Sequence, residues 1–130
     1  MKNVNHFDVG TFGEKMCLKY VKRTKHYKIL GKNITIGHLE ADIVAYDKDH
    51  IIIIEVKTRR DDKNNPYRPG AAITDTKRTN LIRFAYAFVK TLPKKFHDKT
   101  IRIDVCEITA VVDKKLKLSS MNYIENAITR

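Results

Sequence analysis

Residues 39 to 59, Leu-Glu-Ala-Asp-Ile-Val-Ala-Tyr-Asp-Lys-Asp-His-Ile-Ile-Ile-Ile-Glu-Val-Lys-Thr-Arg, leave the backbone few choices. Ile51 to Thr58 is almost continuously β-branched, which fits a central strand buried on both faces. Residues 39 to 46 read as a second strand, with Asp47-Lys48-Asp49-His50 as the turn between the two. If those four residues form the loop, Tyr46 pairs with Ile51, Val44 with Ile53, Asp42 with Glu55 and Glu40 with Lys57. Side chains alternate along a strand, so these four pairs share one face. Asp42 and Glu55 become cross-strand neighbours with Cβ atoms about 5 Å apart, where like charges destabilise a sheet. A divalent cation would remove that penalty. Two carboxylates and a lysine around such an ion form a constellation suited to phosphodiester hydrolysis.

The chain has 130 residues, the length of a single domain over 1–130, and at 42% hydrophobic it can bury a core. Its 26 Lys and Arg against 15 Asp and Glu give a formal net charge of +11. That balance favours a polyanionic partner: DNA, RNA or an acidic membrane surface. The plainer reading is a solvated, self-repelling surface. No apolar run approaches the ~20 residues that span a bilayer. The start, Met1-Lys-Asn-Val-Asn-His, lacks the apolar stretch of a signal peptide. A cytoplasmic location with no membrane partner is expected. Cys17 and Cys106 have no CxxC partner and read as buried free thiols. The five histidines show no zinc-ligand spacing.

Asp8 to Arg23 reads as a helix with Lys15, Lys19, Lys22 and Arg23 on one face. Glu14 falls instead in the small apolar arc of Gly10, Gly13, Cys17, Leu18 and Val21. A carboxylate there needs a partner, either a neighbouring lysine or a metal site. Tyr27 to Ile36 reads as a first strand, bent at Gly31. Arg59 to Pro69 reads as a loop, whose Arg59, Arg60, Lys63 and Arg68 could clamp a phosphate backbone or simply be solvated. Ala71 to Leu92 is a second helix ended by Pro93. Its apolar stripe, Leu81, Phe84, Ala85, Phe88, Val89 and Leu92, continues backwards into Lys77 and Arg78. Cations at a helix N-terminus are unfavourable, so Lys77 is expected to reach a phosphate or Glu55. The alternative is that it snorkels into water. Ile101 to Val112 reads as a fourth strand and Lys117 to Ser119 as a short one. Tyr123 to Ile128 reads as a final turn or short helix. The element order α-β-β-β-α-β defines an α/β protein with a small mixed sheet flanked by helices.

Asp42 followed by Glu55-Val56-Lys57 resembles the PD-(D/E)xK nuclease core. The surroundings extend the likeness: Gly10-Thr-Phe-Gly13-Glu14, Tyr27-Lys-Ile-Leu30, Leu39 to Ala45, Ile54 to Arg59, Gly70, Lys77, Arg102-Ile-Asp104-Val105 and Tyr123 to Ala127. In this order they resemble the YraN-like family of small bacterial proteins, similar in fold to archaeal Holliday-junction resolvases. The resemblance implies a restriction-endonuclease-like core. The function it implies is a Mg²⁺- or Mn²⁺-dependent endonuclease acting on DNA, structured or branched. Asp42, Glu55 and the Val56 carbonyl would hold the ion. Lys57 would position water or stabilise charge on the phosphoryl oxygens, and Glu40 would orient Lys57. Glu14 would face the ion's water shell or a second ion. Lys77, Arg59, Arg60 and Arg78 would hold the backbone, and Asp104 would take a structural hydrogen-bonding role. A homodimer would match the two-fold symmetry of a junction. The rival readings are a non-catalytic nucleic-acid-binding module of the same fold and a structural adaptor. The intact Asp42, Glu55 and Lys57 argue against a dead site.

Overall fold

The run Ile51–Ile54 is the centre of the protein, and all four side chains are fully buried. The computed structural model describes residues 6–61 and 73–129. The isoleucines lie on β3 (His50–Arg60), flanked by β2 (Leu39–Tyr46) and β4 (Thr100–Asp113). With β1 (Lys28–Ile36) and β5 (Lys115–Ile124) they form one mixed sheet, ordered β1-β2-β3-β4-β5. Only β3 and β4 are parallel, and a parallel pair needs a crossover. That crossover carries α2 (Asp75–Val89), whose Leu81, Phe84 and Phe88 pack on Ile51 and Ile53. The other face is covered by α1 (His6–Arg23), whose Cys17 and Val21 pack with Ile52 and Ile54. Two covered faces explain why β3 is apolar at consecutive positions rather than at alternate ones.

Most expected elements lie where the sequence pattern puts them. The bend in β1 is a register shift between Ile29 and Gly31. The turn before β3 is fixed by Asp47, whose carboxylate accepts from the backbone N–H groups of Asp49 and His50. Thr74 caps α2 by accepting from the Lys77 N–H. The expected start at Ala71 lies outside the described residues. The helix ends at Val89, earlier than Leu92, because Thr91 and Leu92 donate to carbonyls three residues back. That tighter turn precedes Pro93. Both cysteines are buried free thiols.

Two expectations need correction. Arg59 and Arg60 are not loop residues, because β3 runs on to Arg60 beside Ala110 of β4. Lys63, Arg68 and Gly70 lie outside the described residues. Lys117 to Ser119 is not a short strand, nor is Tyr123 the start of a terminal turn. Both belong to β5, which pairs with β4 from Asp113↔Lys115 to Val105↔Ile124. β5 is an edge strand, exposed at every position from Lys117 to Ser120, so it lacks the alternation that marks a half-buried strand. The observed order is therefore α-β-β-β-α-β-β. No helix among the described residues is long and apolar enough to cross a membrane.

Candidate functional site

The ladder between β2 and β3 carries the expected register from Tyr46↔Ile51 to Ile43↔Ile54 and then stops. The backbone pairs expected for Asp42–Glu55 and Glu40–Lys57 are absent from it. β2 stays on β1 instead, through Ala41↔Ile34 and Glu40↔Thr35. The faces slip at the same point. Ala41 and Val44 both join the core under α2, whereas Ile43 and Ala45 join the core under α1. Asp42 is the residue at the slip, and opposite it on β1 Asn33 takes a left-handed φ of 49°. The Asp42 carboxylate replaces the lost ladder bond by accepting the Val56 N–H at 2.8 Å.

The gap between the strands opens into a cavity of about 370 Å³. Val9, Gly10, Thr11 and Glu14 line it from α1, Glu40 and Asp42 from β2, Glu55, Val56 and Thr58 from β3, and Lys77 from α2. Four carboxylates and one lysine thus face one hollow in a chain of net charge +11. Helix α1 comes this close because residue 13 is glycine. A Cβ there would collide with the Thr58 side chain. The close approach brings Glu14 to the cavity.

Glu55 is only 6% exposed, and among the described residues its Oε2 receives no hydrogen bond. Lys77 Nζ stands 3.3 Å from that oxygen as an ion pair, without the alignment of a hydrogen bond. Burial, and then the charge of Asp42, push the Glu55 carboxyl up to about 7, against the opposing pull of Lys77. Asp42 is also raised, chiefly by burial, although the Val56 N–H, Glu55 and Lys77 favour its charged form. Glu14 is raised by burial and by Asp42, while Lys32 and a hydrogen bond from Asn33 oppose the shift.

The structure therefore brings together Glu14, Glu40, Asp42, Glu55, Val56 and Lys77. Lys57 lies on β3 opposite Glu107 and does not line the cavity among the described residues. Thr58 lines it instead, because the splayed end of β3 faces α1 there. Arg59 and Arg60 lie farther along β3, and Arg78 is half-buried off the cavity wall. Thr58 and Asn33 were missed by sequence reasoning. Asn33 had a readable signal, since asparagine in a strand is a favoured non-glycine residue for left-handed backbone. No group of three or more His, Cys, Asp or Glu among the described residues is close enough to hold a metal ion by itself.

Fold and site together define a small mixed-sheet α/β protein with an acidic hollow where two strands part. The profile of the uncharacterised protein family UPF0102 matches residues 13–108, and the chain belongs to that family, the one the YraN-like motifs pointed to. The matched span includes Glu14, Glu40, Asp42, Glu55, Lys57 and Lys77. The chain is 38% identical over 120 residues to a UPF0102 protein of Thermodesulfovibrio yellowstonii, covering 92% of this chain and 95% of that one. It is 34% identical over 127 residues to one from Caldanaerobacter subterraneus, covering 98% and 99%. A third, from Syntrophomonas wolfei, is 36% identical over 120 residues, covering 92% and 96%.

Proposed function

We propose that this chain is a metal-dependent nuclease of the PD-(D/E)xK type, hydrolysing phosphodiester bonds in DNA, with structured or branched DNA as the substrate class its resolvase resemblance favours. The observation that carries the reading is the Glu55 carboxylate. It is buried beside Asp42, and among the described residues its Oε2 meets only the Lys77 ammonium, 3.3 Å away as an ion pair, and no aligned hydrogen bond. Buried polar atoms are nearly always satisfied, and an exception calls for a missing ion or a chemical role. The fold reading that goes with it is a restriction-endonuclease-like core of α1, β1 to β3, α2 and β4, with β5 added at the edge.

The donor set fits a magnesium ion. Mg²⁺ keeps several waters and takes one or two carboxylates rather than a full protein cage. Asp42 and Glu55 supply two carboxylates, Val56 lines the same cavity, and its carbonyl would be the third ligand. When bound, such an ion supplies a more acidic water and positive charge beside the scissile phosphate. Asp42 is held in place by the Val56 N–H, so its carboxylate needs little reorganisation. Lys77 would leave Glu55 for the phosphoryl oxygens and stabilise the charge that grows on them. Glu14 would accept from the attacking water. Lys57 would act from outside the hollow, along the backbone path with Arg59 and Arg60.

Cleavage of single-stranded, duplex, flapped and four-way-junction DNA, and of RNA, with Mg²⁺, Mn²⁺ or EDTA, tests this directly. The expected result is metal-dependent cleavage that Glu55→Gln abolishes while nucleic-acid binding persists or improves. Binding without cleavage under any metal would make the chain a binding module instead.

A further inference from the structure

Glu14 and Asp42 are shared between two hollows. One is the acidic cavity with Glu55 and Lys77. The other, of about 390 Å³, opens on the β1 side and adds Thr11, Lys15, Lys32 and Asn33 to the wall. On α1, Thr11, Glu14, Lys15 and Leu18 follow the i, i+3, i+4, i+7 spacing that puts them on one face. On β1, Asn33 leaves regular strand geometry where it faces Asp42, with a left-handed φ of 49° that asparagine tolerates better than most residues. Its side chain hydrogen-bonds Glu14, and Lys32 attracts the same carboxylate. Lys15, Lys32 and Asn33 are all exposed, so their donors can also turn to a ligand.

We propose that this second cavity is an anion subsite, in which Lys15, Lys32, Asn33 and Thr11 hold the phosphate next to the reacting one. Two ammonium groups, a carboxamide and a hydroxyl are donors matched to phosphoryl oxygens. They adjoin the shared carboxylates Glu14 and Asp42 in the hollow that Lys77 does not line among the described residues. A nucleic-acid strand lying across the wall would meet cations, then the carboxylates and their ion, then Lys77. The subsite's charge would therefore set where along a strand the bond is cut. Which phosphate it holds rests on the nuclease reading, but anion binding in this cavity does not.

Two measurements separate those claims. In the first, inorganic phosphate is titrated into the full-length ¹⁵N-labelled protein in EDTA. The Asn33 side-chain amide and backbone amides of residues 11–15 and 31–33 should shift and saturate, and Lys32→Ala should weaken that binding roughly tenfold, the loss of one charge-assisted hydrogen bond. Shifts that Lys32→Ala leaves unchanged, or no saturable shift, would overturn the subsite. In the second, a single neutral methylphosphonate is walked along a cleavable oligonucleotide. One neutral linkage adjacent to the cut should raise KM for the wild type by roughly tenfold, and Lys32→Ala should no longer sense it. Wild-type cleavage that ignores every neighbouring neutral linkage would overturn the assignment to the next phosphate. Absence of any wild-type cleavage would instead sink the nuclease reading, and the phosphate titration alone would then decide the subsite.

Discussion

Asp104 and Glu55 sit almost side by side in the sheet, where Ile54 pairs with Asp104 and Glu55 with Val105. Both are buried acids, and they are treated in opposite ways. Asp104 is fully buried on the α1 face and accepts from Arg102 Nε at 2.8 Å and Arg102 Nη2 at 2.9 Å. It also accepts from Tyr123 Oη at 2.5 Å and from the Asn126 N–H at 2.8 Å. Arg102 in turn donates to Tyr27 Oη, so the network closes on itself and ties the end of β5 to the sheet. Glu55, on the α2 face, keeps an oxygen that receives no hydrogen bond among the described residues, and it faces a second carboxylate. A fully hydrogen-bonded buried acid specifies structure, whereas one held by an ion pair beside a second carboxylate lowers stability. The contrast sets a closed hydrogen-bond network at Asp104 against an ion-paired carboxylate beside a second acid at Glu55.

The sharpest way to break the comparison is Asp104→Ala. It leaves Arg102, with a side chain only 12% exposed, without its carboxylate. Stripping one partner from a buried pair costs about 3–5 kcal/mol. Urea unfolding of the variant should show that loss. A cost below about 1 kcal/mol, the value of an exposed pair, would mean the network is not structural. Gly13→Ala comes next. The added methyl meets Thr58, and overpacking of this kind costs about 1–3 kcal/mol. The melting temperature should fall, and the displaced α1 should carry Glu14 away from the cavity, lowering cleavage as well as stability.

Glu55→Gln should move stability the other way, and only in one pH window. The folded pKa of about 7 lies above the unfolded value near 4.5. At lower pH the carboxyl is protonated in both states and carries no penalty. As pH rises through the window the unfolded chain releases its proton first, so wild-type stability falls, and the full deficit is present above the folded pKa. Glu55→Gln escapes the deficit. It should match the wild type in acid and exceed it by on the order of 3 kcal/mol above neutrality. Melting curves in EDTA on either side of the window check this, and a constant difference across it would refute the shift. Excess Mg²⁺ should stabilise the wild type and not the variant.

The two regions also differ in how readable they were. The register of the hairpin, the central β3 and the apolar stripe of α2 follow from alternation and spacing, because burial on fixed faces writes a period into the sequence. The meeting of Asp42 and Glu55 was legible for the same reason. The geometry that unites them was not. They meet because β2 leaves β3 at Asp42, and a side chain that takes a backbone N–H has no periodic signature. Thr58 lines the cavity because it follows Ile54 and Val56 on the α1 face of β3, and Lys57 points the other way. β5 was read too short, at Lys117 to Ser119 alone, because an exposed edge strand imposes no alternation.

The smallest expected effect tests where the satisfied network ends. Lys25 pairs with Glu125 at 2.8 Å, with side chains 28% and 46% exposed. Its ammonium also lies 5.5 Å from the Tyr123 ring centroid. An exposed ion pair is worth about 0.2–1 kcal/mol and is screened by salt, so Lys25→Ala should cost no more than that and less at high ionic strength. Glu125 would keep the Tyr27 hydroxyl at 3.4 Å and Arg102 at 3.9 Å, and the buried core of the network would not lose a donor. Equilibrium unfolding at low and high salt measures the difference. A loss as large as that of Asp104→Ala would mean that the rim holds the buried acid in place. The boundary between structural and chemical carboxylates would then lie in the solvent shell rather than at the sheet.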